Sequence, residues 1–256
     1  MSLLLTPLPD IHLIRTGDDL PGLTLAALQR AGISLQDGDI LVFAQKVISK
    51  AEGRMIDLTT VTPSPRAREL AGETGKDPRL LEMVLQESNM VLRTRFNSII
   101  VEHHLGFVCA NAGIDHSNVS PDLQTSSADW ILLLPKDPDA SAARLRAALE
   151  QASGARLGIL IIDSHGRAWR LGTIGMAIGL SGLPGVADLR GEPDLFGFRL
   201  QITQVGVADE LAAAASLVMG QADEGTPIVH ARGFPYPLRE GNLTEILRPR
   251  ETDMFR

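Results

Sequence analysis

Two short segments hold the residue types from which phosphate chemistry can be built: Asn111-Ala112-Gly113-Ile114-Asp115-His116-Ser117-Asn118 and Asp163-Ser164-His165-Gly166-Arg167. In each, a carboxylate follows a run of β-type apolar residues and sits among Gly, Ser or Asn, the pattern of a strand running out into a turn. Two aspartates on separate strand ends, flanked by hydroxyl and amide oxygens, can converge on a hard divalent cation. Such cations take oxygen ligands and commonly share them with substrate phosphates. Asp115 with Asn118, and Asp163 with Ser164, are therefore the metal candidates. Taken singly, each aspartate reads as a turn-former or a helix cap.

Two further segments add to this pair. Gln45-Lys46-Val47-Ile48-Ser49-Lys50 places two lysines at the end of a predicted strand, where they can offset phosphate charge as point cations. The alternative is an edge strand protected by its lysines. Met219-Gly220-Gln221-Ala222-Asp223-Glu224-Gly225-Thr226 leaves a predicted helix for the last strand and is dense in oxygen ligands and amide donors, although by composition it is an ordinary loop. Familiar phosphate motifs are absent. Gly75-Lys76 lacks the upstream glycine and the following Ser/Thr of a P-loop, and Gly179-x-x-Gly182-x-x-Gly185 has the wrong spacing for a dinucleotide fingerprint. Both sets read as turn or close-packing glycines. His103 and His104 fall on a strand and point to opposite faces, so they cannot chelate together. His116 and His165 stand beside the two aspartates but read as surface residues.

The elements that must position these groups alternate irregularly. Thr16-Gly17-Asp18-Asp19 introduces a helix over Leu20–Ala31, and Asp37-Gly38-Asp39 turns into a strand over Ile40–Ile48. Ser64-Pro65 and Asp77-Pro78 are cap-plus-proline signals for helices over Arg66–Glu73 and Arg79–Gln86. Ser98–His104 and Phe107–Ala112 form a hairpin pattern, and Trp130–Leu134 reads as a buried strand. Asp137-Pro138 caps a helix to Gln151, with Leu145 and Leu149 on one face. Leu157–Ile162 is a strand ending at Asp163, followed by the glycine-rich apolar segment Leu171–Gly185. Arg199–Val205 reads as a strand, Ala208–Met219 as an alanine-rich helix and Pro227–Ala231 as the final strand. No fixed period repeats and no regular βαβ series appears, so the expected class is α+β, with mixed sheets and peripheral helices.

Composition bounds the function. The 256 residues are 44% hydrophobic, enough for a substantial core, and the net charge of −7 argues against nucleic-acid or anionic-membrane binding. No segment reaches transmembrane length and the N-terminus lacks a signal-peptide pattern, which points to a soluble, cytoplasmic protein. The single cysteine, Cys109, excludes an intrachain disulfide and reads as a small buried filler.

Taken in order, Gly17-Asp18-Asp19-Leu20, Gly38-Asp39-Ile40-Leu41, Ser49-Lys50-Ala51-Glu52-Gly53-Arg54, Gly75-Lys76-Asp77-Pro78-Arg79, Asn111 to Asn118, Leu134-Pro135-x-Asp137-Pro138, Asp163 to Arg170, Ala208-Asp209-Glu210-Leu211-Ala212 and Met219 to Gly225 resemble one family. It is the γ-glutamyl ligase family that adds L-glutamate to the deazaflavin coenzyme F-420, and the resemblance runs from Gly17 to Gly233. It implies one ligase domain over residues 1–256, built of two intertwined subdomains or of one, without the nitroreductase-like C-terminal domain of some members. It further implies a GTP-dependent homodimer working with Mg²⁺ or Mn²⁺ at two sites and with K⁺. GTP would phosphorylate the carboxylate of the coenzyme precursor, and the amine of glutamate would attack the acyl phosphate.

Carried over by residue, the resemblance makes Asp115, Asp163, Ser164 and Gln221 metal ligands. Gln45, Lys46, Lys50, Asn118 and the loop Met219, Gly220, Gln221, Ala222, Asp223, Glu224, Gly225 and Thr226 become nucleotide contacts. Asp115 and Asp163 would carry the catalysis together with Arg167, which with Arg170 is expected to hold an anionic substrate; surface pairing with a carboxylate is the alternative. Three positions depart from the family pattern: Ala168 replaces a proline, Phe198 an arginine, and Pro9-Asp10-Ile11-His12 a Gly-Leu-Pro loop. Two other readings stay open: a same-fold ligase acting on another carboxylated cofactor, and a metal-dependent phosphohydrolase using the same aspartates.

Overall fold

The chain is organised around two continuously apolar runs, β2 (Ile40–Ala44) and β8 (Gly158–Gly166), which lie side by side and parallel from Ile40 opposite Gly158 to Ala44 opposite Ile162. The computed structural model describes residues 2–120 and 127–254. β12 (Ile228–Arg232) pairs antiparallel with the other side of β2, and β1 (Leu4–Pro7) pairs with β12. β9 (Thr173–Ser181) pairs antiparallel with β8, giving a five-stranded sheet in the order β1-β12-β2-β8-β9.

Both faces of this sheet are covered, which explains why its central strands are apolar throughout rather than alternating. On one face Leu41, Phe43, Ile159 and Ile161 meet Ala27 and Leu28 of α1 (Leu20–Arg30) and Ala142, Leu145 and Leu149 of α5 (Pro138–Ser153). On the other, Ile40, Val42, Leu160 and Ile162 meet Ala208, Leu211, Ala212 and Ala215 of α6 (Val207–Met219). Two glycines of β9 allow the helices this close. A Cβ at Gly179 would lie 2.5 Å from Pro138 Cβ, and one at Gly175 would lie 2.5 Å from the Ala212 carbonyl oxygen.

A third buried cluster occupies the chain between β2 and β8. There α3 (Pro65–Thr74) and α4 (Pro78–Gln86) pack Leu70, Leu81 and Val84 against Ile99 and Val101 of a three-stranded sheet. That sheet consists of β4 (Ser88–Arg95), β5 (Ser98–His103) and β6 (Val108–Ala110). The short pair β3 (Met55–Asp57) and β7 (Trp130–Leu132) returns the chain towards β8. β10 (Ala187–Asp188) and β11 (Gln204–Val205) form a separate two-stranded ribbon.

The class is α+β, as expected. The cap signals hold: Ser64, Asp77 and Asp137 each accept a hydrogen bond from a backbone N–H in the first turn of a proline-started helix. The hairpin of β5 and β6, the buried β7 and α6 also lie where the sequence puts them. Cys109 is buried, and burial pushes its thiol up to about 12, so it is an inert filler. Among the described residues, no helix is long and apolar enough to cross a membrane.

Four expectations need correction. The strand expected over Ile40–Ile48 stops at Ala44, and Gln45–Ala51 is a helix, α2. Val47 and Ile48 are buried core residues, and a short apolar run does not distinguish a buried strand from a buried helix turn. β2 is also central, so its lysine-rich end is not an edge-strand guard. The strand expected to end at Asp163 continues to Gly166, because β9 keeps pairing with it. The strand expected over Arg199–Val205 shrinks to Gln204–Val205: its apolar residues meet no core, and Ile202 is exposed. The sequence reading also missed β1 and the polar β4.

Candidate functional site

The site forms where β2 ends and its partner β8 runs on. α2 starts directly after Ala44, and its first residue, Gln45, is buried. One turn later Ser49 donates its hydroxyl to Gln45 Oε1 at 2.8 Å, which fixes the amide so that Nε2 points away and donates to Asp115 Oδ2 at 2.7 Å. Lys46 Nζ lies 3.2 Å from the same carboxylate oxygen and also donates to the carbonyl and hydroxyl oxygens of Ser117, each at 3.0 Å. Lys50, four residues on and so on the same helical face, donates to the Asn118 carbonyl at 2.7 Å. The helix, rather than a strand, is what aims both lysines at one segment.

Asp115 is presented by a tight turn. Asn111 and Ala112 adopt left-handed backbone at φ 52° and φ 54°, a conformation asparagine tolerates and alanine adopts only with strain. The chain then straightens, and Asp115 exchanges two backbone hydrogen bonds with Leu132 of β7, at 3.0 and 2.9 Å. Burial pushes the Asp115 carboxyl above its usual range; Lys46 pulls it back, and the charge of Asp163 pushes it further up. Burial also lowers the Lys50 ammonium, reinforced by the charge of Lys46.

Asp163 is the first residue of β8 beyond the end of β2, with its side chain 10% exposed. Its neighbour Ser164 points to the opposite face of the strand. There its hydroxyl donates to Gln221 Oε1 at 2.8 Å, and Gln221 Nε2 donates to Ser216 Oγ of α6 at 2.9 Å. The loop from Met219 to Thr226 is closed by Thr226 Oγ1 donating to the Met219 carbonyl, 3.0 Å, and by Glu224 accepting from the Ala222 N–H, 2.8 Å. Asn118 Nδ2 donates to the Ala222 carbonyl at 3.1 Å, joining this loop to the Asp115 segment.

The structure thus links Gln45, Lys46, Lys50, Asp115, Asn118 and the 219–226 loop, with Asp163 and Ser164 on the adjoining strand β8 and Ser164 bonded to Gln221 of the loop. Met219, the last residue of α6, has its side chain buried in the core, while Gln221, Ala222, Asp223, Glu224 and Gly225 are exposed and Gly220 and Thr226 partly so. Arg167 stays in its own loop and donates to the Gly172 carbonyl at 3.2 Å, and Arg170 is exposed. Among the described residues no three His, Cys, Asp or Glu side chains converge as a ready-made metal cluster. The donors present are nevertheless all hard oxygens: two carboxylates, a hydroxyl and an amide carbonyl. That set fits Mg²⁺ or Mn²⁺, which retain substrate phosphates and waters as further ligands.

Sequence reasoning missed Ser49, Ser117, Ser216 and His165. His165 was expected at the surface, yet it is buried at 6% exposure, with Nε2 2.9 Å from Asp163 Oδ2. Its ring lies 5.2 Å from that of Phe107, which stacks in turn on His103. Burial holds His103 uncharged, lowering it to about 4. The available signal for His165 was its spacing: two residues from Asp163 on a strand means the same face.

Residues 10–233 match the family described as F420-0:gamma-glutamyl ligase. The chain is 48% identical to the coenzyme F420:L-glutamate ligase of Methanothermobacter thermautotrophicus, with 100% of each chain covered. It is 45% identical to the enzyme of that name from Methanopyrus kandleri, over 100% of this chain and 98% of the relative. With the Methanocaldococcus jannaschii ligase it shares 45% identity over 87% of this chain and 86% of the relative.

Proposed function

The chain belongs to the F420-0:gamma-glutamyl ligase family, and we propose that it uses GTP to join L-glutamate, through a γ-linkage, to the deazaflavin coenzyme F-420 precursor by way of an acyl phosphate. The observation that carries this reading is the meeting at Asp115 Oδ2 of the Gln45 amide and the Lys46 ammonium, with a second aspartate, Asp163, near enough for its charge to act on Asp115. Phosphoryl transfer asks the protein for positioning and charge neutralisation more than for a nucleophile. A site built from two carboxylates and two lysines answers that need.

In this reading a carboxylate oxygen of the precursor attacks the γ-phosphorus of GTP, the bond to the bridging oxygen breaks, and GDP leaves. The glutamate amine then attacks the acyl carbon, and inorganic phosphate departs with the oxygen that began on the precursor. Asp115, Asp163, Ser164 and Gln221 would hold Mg²⁺ or Mn²⁺ at two sites. When bound, the cations supply charge neutralisation of phosphate oxygens and a fixed line of attack. Lys46 and Lys50 add positive charge from α2. Asn118 and the 219–226 loop, already bonded to each other, close the nucleotide side. Arg167 and Arg170, on the loop after β8, would hold an anionic substrate. A cytoplasmic homodimer requiring K⁺ completes the proposal.

The test is GDP formation from GTP and Mn²⁺ with both the deazaflavin precursor and L-glutamate, with either alone, and with neither. Turnover that needs both supports the ligase. Hydrolysis indifferent to both supports a phosphohydrolase, and product only with a different acceptor supports a same-fold ligase for another cofactor.

A further inference from the structure

His165 is a buried imidazole at the centre of the site, and nothing in the proposed reaction uses it. β8 places it two residues after Asp163, on the same face, and the ladder to β9 continues through both, Asp163 opposite Met176 and His165 opposite Ile174. Its Nε2 is 2.9 Å from Asp163 Oδ2 without the alignment of a hydrogen bond, and the atom is buried with no other polar partner. A buried ring nitrogen left in that condition calls for an explanation.

The ring is buried at 6% exposure and packed against an aromatic neighbour. Phe107 lies against it at 5.2 Å and 50°, and Phe107 is itself stacked on His103 at 5.2 Å and 10°. His103 is tied down from below, its Nδ1 accepting the Leu105 N–H at 3.0 Å. Phe107 and His103 form a wall of two rings behind His165, on whose strand face Asp163 also lies. Meanwhile Asp115, the other carboxylate, already receives the Gln45 amide and the Lys46 ammonium. His165 is the polar side chain in contact with the Asp163 carboxylate.

We propose that His165 is the positioning residue for Asp163: the braced imidazole holds Oδ2 and so directs the other carboxylate oxygen, Oδ1, towards the cation shared with the nucleotide. Ligating carboxylates are oriented by such outer partners, and losing one weakens metal affinity by about 10- to 100-fold. The inference rests on the metal-dependent reading above and concerns orientation alone.

The test uses the full chain with GTP and titrates Mn²⁺, following free Mn²⁺ by electron paramagnetic resonance. His165→Phe keeps the ring and its contact with Phe107 but removes both nitrogens. Circular dichroism should show it folded, with Mn²⁺ affinity lowered about 10- to 100-fold. His165→Gln, which returns an amide donor at similar reach, should recover part of the loss. In the background of Asp163→Asn, His165→Phe should have no further effect. Unchanged affinity in His165→Phe, or an equal loss in the Asp163→Asn background, overturns the proposal. Should the phenylalanine variant not fold, His165→Leu takes its place with the same criteria. An unsubstituted chain that binds no Mn²⁺ overturns the metal reading itself, an outcome distinct from either.

Discussion

Gln45 Nε2 donates to Asp115 Oδ2 at 2.7 Å across seventy positions of sequence, and this bond ties the first helix after the central strand to the turn that presents the carboxylate. Lys46 meets the same oxygen. The arrangement keeps a carboxyl that burial drives towards its neutral form close to cationic and amide donors. Such a site costs stability in the absence of substrate, as expected of groups kept for chemistry.

Asp115→Asn should therefore lower kcat by about 10²–10³-fold, the scale for losing one electrostatic contact to the reacting phosphate. Its melting temperature should be unchanged or higher. The sign follows from the raised carboxyl: the ionised form is disfavoured in the fold, so the unsubstituted protein is destabilised above its folded titration point and relieved as pH falls through it. Calorimetry on both proteins at neutral pH checks this, and a clear drop in melting temperature would contradict it.

Lys50 should matter most for nucleotide affinity. Charged hydrogen bonds contribute about 1.5–3 kcal/mol, so Lys50→Ala should weaken GTP binding by roughly 10- to 100-fold. Because burial lowers its ammonium, affinity should decline on raising pH earlier than an ordinary lysine would dictate. Lys50→Arg, permanently charged, should flatten that decline. Calorimetric titration of GTP across alkaline pH reads both effects.

Far from the site, Asp39 is buried at 2% exposure, receives two hydrogen bonds from Arg232 at 2.8 and 2.7 Å, and lies 2.9 Å from His230 Nε2. Asp39→Ala should destabilise the fold by about 1–3 kcal/mol, because it removes the charged hydrogen bonds from Arg232, whose side chain is 36% exposed and can turn to solvent. Burial raises the Asp39 carboxyl but the Arg232 and His230 bonds outweigh it, so the net direction is down. Its contribution is thus complete above the unfolded value of about 3.9 and lost as pH falls through the lower folded value. Urea denaturation at neutral and acid pH should show the difference between the variant and the unsubstituted chain shrinking in acid.

Gly175→Ala should move α6. The new Cβ would meet the Ala212 carbonyl oxygen at 2.5 Å and Ser216 Cβ at 2.6 Å. Overpacking of this kind costs about 1–3 kcal/mol. Since Ser216 holds Gln221, which accepts from Ser164, activity should fall further than stability alone explains. Activity assayed well below the melting temperature of the variant separates the two.

The α+β class, the proline-started helices and the two aspartate segments were legible in the sequence because each depends on local chemistry: caps, turn residues and apolar runs. Residue types singled out the Gln45–Lys50 and 219–226 segments, and the resemblance supplied their role as nucleotide contacts, which no spacing rule contains. Two things were hidden. Val47 and Ile48 look like strand residues because burial, not period, sets their identity, so the helix that aims Lys46 and Lys50 was missed. His165 looked like a surface residue because the wall of Phe107 and His103 that buries it comes from a hairpin far away in sequence.

The most direct test of the central claim is oxygen transfer. Precursor labelled with oxygen-18 in the reacting carboxylate is turned over with GTP and L-glutamate, and the inorganic phosphate is analysed by mass. An acyl phosphate requires each turnover to deliver one carboxylate oxygen to phosphate. Phosphate without label, released while glutamate is being joined, would contradict the account.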